Sequence, residues 1–149
     1  MIISFLAGIT FTVFSFNCEN AFDCRDDSLH DDSQFMPDGG RKWTPRKYWN
    51  KLRGIGKAIV SAADVDGKIP DLVALCEVEN DSVVFDLTRR SLLRNAYYHY
   101  FITSSPDIRG IDIALLYSPS SFKPISHNYI RVTPIKGMRP TRDILYASG

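Results

Sequence analysis

The chain reads as an α+β domain, a mixed β-sheet with helices packed on it. Two features carry that reading: the order strand, helix, strand, helix over the first two thirds, and then a run of short strands joined by turns. Early crossovers followed by meanders call for a layered α/β arrangement rather than a bundle or an all-β barrel. A length of 149 residues suits one domain with a sizeable core.

Residues 9–16, rich in Phe, Val, Ile and Thr, predict the first strand, ending at Asn17. The preceding apolar stretch lacks a basic start and a clear cleavage site, and it is short for a membrane span. Residues 1–8 are therefore left open to an export-signal remnant, and the compartment, cytoplasmic or exported, stays open. Next comes "CRDDSLHDDSQFMPDGG". Its acids lack the regular spacing and closing Glu of a calcium loop, so a solvated loop is expected. Thr44 then caps a helix with Pro45 at its first position. Tyr48, Leu52, Ile55, Ile59 and Ala62 form one apolar stripe, with Arg and Lys on the wet side. A second core strand follows at 71–76, a helix at about 82–95, strands over "YYHYFIT" and "IDIALLY", and strands near 129–135 and 142–147.

Lys and Arg number 18 against 17 for Asp and Glu, which excludes the broad basic surface of a protein held on DNA chiefly by charge. Three cysteines without CxxC or Cys/His spacing support neither a zinc site nor a disulfide framework. Cys18 and Cys76 read as small buried hydrophobes.

The chemistry gathers in "PDLVALCEVEN". An apolar strand ends in Glu77, Glu79 and Asn80, and a carboxylate there needs a partner. If strands 9–16 and 71–76 are neighbours, Asn17, Glu19 and Glu77 emerge at one sheet edge, where ligand sites are common. Strand alternation points Asn17 and Glu19 one way and Cys18 the other. Two carboxylates and an amide oxygen are hard donors that suit Mg²⁺; salt bridging to Arg or Lys is the alternative.

"FNCENAFD", "PDLVALCEVEN" and "RGIDIALLY", in that order and spacing, resemble the amino-terminal half of the endonuclease/exonuclease/phosphatase (DNase I-like) superfamily. The resemblance runs from about residue 10 to the last residue. It implies a layered α/β/β/α sandwich, present over 9–149 as an incomplete amino-terminal half, and Mg²⁺- or Mn²⁺-dependent hydrolysis of a phosphoester. The substrate would be nucleic acid, a lipid head group or an inositol phosphate. Asn17 and Glu77 would be catalytic, with Glu77, Asn17 and Glu19 at the metal. Arg109 and Arg142 would approach phosphate, and Asp112 would lie near the cleft. The resemblance also implies a late Asp-His dyad without counterpart among His30, His99 and His127, so the chain alone is expected to be inactive, with its missing half needed to complete the fold. A non-catalytic interaction module and an unrelated metal-free α/β binding domain are the alternatives.

Overall fold

The computed structural model describes residues 10–27, 30–64 and 66–149. The segment left open to an export signal, residues 1–8, lies outside them. Strands β1 (Val13–Ala21), β2 (Leu72–Val78), β3 (His99–Ile102) and β4 (Asp112–Tyr117) form a mixed sheet in the order β1-β2-β4-β3, and β5 (Ser126–Ile130) pairs with β6 (Ile144–Ser148) as a separate hairpin. β1 and β2 are parallel neighbours, joined through helix α1 (Pro45–Ser61), and the other pairings are antiparallel. This mixed α/β architecture is consistent with part of a DNase I-like domain.

Helix α1 forms for the reasons the sequence offers. The Thr44 side chain accepts from the Lys47 amide, and Pro45 gives up a donor that the first turn cannot use. Tyr48, Leu52, Ile55 and Ile59 are all buried against one face of the sheet, alongside Val73, Leu75, Ala114 and Leu116. Burial of each large aliphatic side chain contributes about 1.5–3 kcal/mol. Gly56 lets the helix come close: a Cβ there would sit 3.3 Å from the Leu92 Cβ.

The helix expected at 82–95 is three shorter pieces: α2 (Asp81–Phe85), a π turn (Asp86–Arg90) and a 3₁₀ turn (Leu92–Asn95). The cause is side-chain competition for the backbone. Thr88 Oγ1 donates to the Val84 carbonyl and Ser91 Oγ to the Leu87 carbonyl, back-bonding that bends helices. Ser91 then turns extended and caps the 3₁₀ turn through the Leu93 amide.

The first strand begins later than 9–16 and runs on to Ala21, because β1 resumes pairing with β2 at Ala21↔Val78. The last two strands lie at 126–130 and 144–148 rather than 129–135 and 142–147. Of the cysteines, Cys18 is buried and burial pushes its thiol up to about 12, whereas Cys76 is only partly buried. No helix among the described residues is long and apolar enough to cross a membrane.

The start of the sheet is fixed by one buried carboxylate. Asp71 accepts from the Thr12 amide at 2.8 Å and ion-pairs with Lys68 at 2.6 Å, while its own carbonyl accepts from Ser118 at 2.9 Å. Burial alone would raise its pKa. Hydrogen bonds from Lys68, Ser121 and Thr12 outweigh that and hold it at about 2. A depressed folded pKa makes this stability present above the unfolded value and lost as pH falls through about 2. Asp71→Asn is therefore expected to cost about 2 kcal/mol in chemical denaturation at pH 7. The gap to the wild type should narrow as the pH is lowered toward 2, and a gap constant across that range would contradict the assignment.

Candidate functional site

Asn17, Glu19 and Glu77 lie at the same end of the neighbouring strands β1 and β2, and both strands are distorted there. Asn17 pairs with Cys76, then β1 inserts extra residues before pairing resumes. Glu19 (φ 51°) and Asn20 (φ 62°) take left-handed backbone in β1, and Glu77 (φ 62°) does so in β2, where a second bulge interrupts pairing with β4. Each such residue costs of order 1–2 kcal/mol, and such residues cluster at functional sites. The distortions hold each other: the Asn20 amide donates to Glu77 Oε2 at 3.1 Å.

The bulge changes what alternation predicts. The Asn17 amide oxygen turns back to accept from the Glu19 amide at 3.0 Å, and the Glu19 carbonyl accepts from Lys51 Nζ. The regular alternation expected to align Asn17 and Glu19 thus stops short of Glu19, because two left-handed residues cannot continue a pleat.

Glu77 keeps one oxygen for other work. Among the described residues its charged neighbour within ion-pair distance is Arg142, whose guanidinium lies 3.9 Å from Oε1. Two positions on, Glu79 lies in a different environment. It is buried and accepts from the Asp23 amide at 2.6 Å; burial pushes its carboxyl up to about 8, with the charges of Asp23, Asp32 and Asp27 adding to the rise. Glu79 therefore braces the chain, whereas Glu77 faces the edge.

Asp112 stands at the start of β4. It is buried, and its carboxylate accepts from Thr103 Oγ1 at 2.6 Å and from the amide and hydroxyl of Ser105. Ser105 Oγ in turn accepts from the Asp143 amide at 3.0 Å, and the Asp143 carboxylate pairs with Arg131 at 2.8 Å. Asp112 thereby steadies the backbone beside Arg142.

Arg109 is tied to Asp107 through Nε and a terminal nitrogen, both at 3.2 Å. It lines a cavity of about 260 Å³ that also touches Asn20, Gln34, Phe35 and Arg41. A second cavity, about 580 Å³, shares Arg109 and adds Arg139 and Thr141. Arg41 and Arg139 were not foreseen. The acidic loop that precedes Arg41 was expected to be solvated, but it has its own small core. Phe22 stacks on Phe35 at 4.0 Å, Trp43 packs edge-on at 5.7 Å, and Arg41 lies over the Phe35 ring. Phe22 and Phe35, flanking the acids, were the available signal.

Each histidine has a contact of its own. His127 stacks on Phe101, His99 contacts Tyr117, and His30 pairs with Asp27 at 3.8 Å. The described residues contain no group of three or more His, Cys, Asp or Glu side chains able to hold a metal. What does gather is the Glu77 carboxylate, the Asn20 backbone amide and the Arg142 guanidinium. A hard cation that keeps most of its water needs only one or two protein carboxylates, and Glu77 is the carboxylate at this end of β2 that faces a guanidinium.

Removing the Asp112 carboxylate should loosen the Ser105–Asp143 segment. Asp112→Ala is expected to lose about 2 kcal/mol in urea denaturation, and to raise amide exchange at Ser105 and Asp143. Unchanged exchange at those two amides would show that Asp112 does not brace them.

A family model described as "Endonuclease/Exonuclease/phosphatase family" matches residues 12–149. No curated protein and no solved structure matches the chain. The match overturns the alternative of an unrelated α/β binding domain. Members of the family act on phosphoester substrates and generally use divalent metals. The chain belongs to the endonuclease/exonuclease/phosphatase family.

Proposed function

We propose that this chain supplies the metal-holding and phosphate-neutralising part of a Mg²⁺- or Mn²⁺-dependent phosphoester hydrolase, a nuclease or phosphodiesterase. One observation carries the reading: Glu77 is held in left-handed backbone with one carboxylate oxygen bound to Asn20 and the other turned toward Arg142. Strained backbone of this kind persists only where its surroundings over-determine it, and here it delivers a carboxylate to a sheet edge. A bound divalent ion would supply electrostatic stabilisation of negative charge on phosphate oxygens.

In this reading Glu77 is the principal metal ligand, assisted by Asn17 and Glu19. Arg142, beside Glu77, and Arg109, between the two cavities, receive phosphate oxygens. Arg109 comes pre-oriented by Asp107, which reduces the side-chain ordering needed at the moment of binding. Arg41 and Arg139 line these cavities too, beside the carboxylates of Asp31 and Asp107.

Titration calorimetry with Mn²⁺ should detect binding that Glu77→Gln weakens about 10- to 100-fold, and any phosphodiester cleavage should fall with it. Equal Mn²⁺ affinity in the two proteins would remove the basis of the reading. Arg142→Ala is expected to act with opposite signs on the two ligands. It should tighten Mn²⁺ binding by up to about fivefold, since a competing cation leaves. It should also weaken binding of a phosphodiester substrate. A variant that weakens both would assign Arg142 to structure alone.

A further inference from the structure

The helical layer carries a second basic cavity that shares no residue with the Glu77 edge. It occupies about 290 Å³ between α1 and the segment after the π turn, and is lined by Trp49, Arg53, Arg90, Ser91, Leu92 and Arg94. The fold builds it deliberately in two steps. The π turn and extended Ser91 throw Arg90 outward, and the 3₁₀ turn then lays Leu92 against Gly56 of α1. Single π turns inside helices are frequent at functional sites.

The geometry points to a binding site for a phosphomonoester carried on a flat ring, that is, a nucleotide. Arg90 is held by Asp86 at 3.1 Å and lies over the Phe85 ring, and the other Asp86 oxygen accepts from Tyr48 at 2.8 Å. Asp86 is therefore fully engaged. Arg53 and Arg94 have no carboxylate within ion-pair distance among the described residues, and Arg94 donates only a long bond to the Ser91 carbonyl. Three guanidinium groups against one carboxylate leave an excess of two positive charges, matching the roughly −1.5 to −2 of a phosphomonoester at pH 7. Guanidinium groups are suited to bidentate contact with phosphate. Trp49, 37% exposed, and Leu92, 48% exposed, offer the apolar surface on which a ring can lie.

The site stands or falls independently of the hydrolase reading. Calorimetry on the whole chain, with Trp49 fluorescence as a second signal, uses AMP, inorganic phosphate and adenosine as probes. AMP is expected to bind with Kd of about 0.1–1 mM and to quench the fluorescence; adenosine should bind far more weakly. Arg53→Ala and Arg94→Ala, both exposed positions that leave the core intact, should each raise Kd about tenfold, and Glu77→Gln should leave it unchanged. A 5′-phosphorylated oligonucleotide binding like AMP would identify a strand end as the source of the phosphate, and AMP alone would identify the free nucleotide. Absence of AMP binding, equal affinity in both arginine variants, or equal binding of an unphosphorylated oligonucleotide or an acidic peptide would each overturn the assignment.

Discussion

The contact between the Glu77 carboxylate and the Asn20 amide is the constraint around which the sheet edge is arranged. Both residues sit in left-handed backbone, which Asn20 tolerates and which is costly for Glu77. A charge-assisted hydrogen bond worth about 1.5–3 kcal/mol is of the right size to offset that strain. Its consequences spread along both strands. β1 absorbs its extra residues and rejoins β2 at Val78, placing Ala21 and Phe22 in apolar surroundings. From Phe22 the chain enters the small aromatic core with Phe35 and Trp43, and that core sets Arg41 in the same cavity as Arg109.

On the opposite side of Glu77 the support is made of hydrogen bonds rather than rings. Asp112 fixes Ser105, Ser105 fixes the Asp143 amide, and Asp143 adjoins Arg142. Arg131 closes the set by pairing with Asp143 and reaching the Ser104 carbonyl. The acidic side chains near the site therefore divide by burial. Those buried inside the protein shape the backbone, whereas Glu77, at the end of β2, turns one oxygen toward Arg142.

Much of this was legible in the sequence. The apolar stripe of α1 and its Thr44–Pro45 start appear as read, and strands β1 and β2 lie side by side with Asn17 and Glu77 at the same end. What escaped the sequence depended on backbone that no residue type announces. In "NCEN" Asn20 is of a type that tolerates left-handed backbone but Glu19 is not, so the alternation rule was extended two residues too far. The interruption of the 82–95 helix came from Thr88 and Ser91, whose hydroxyls bond backwards only once the helix exists. The acidic loop looked solvated because its acids outnumber its rings, yet Phe35 is buried and decides the fold of the segment.

A buried strand that ends in two carboxylates two residues apart finds its reason in this division. Glu79 lies under the chain with Asp23, Asp27 and Asp32 nearby, and its carboxyl, raised to about 8, takes up a proton near neutral pH and adds no second negative charge to the edge. A second charge there would lie close to Glu77 and would repel an incoming phosphate. Keeping that neighbour neutral leaves Glu77 as the carboxylate that faces Arg142, 3.9 Å away. The order of environments along "CEVEN", partly exposed and then interior, thus separates the acid that faces Arg142 from the one that braces the chain.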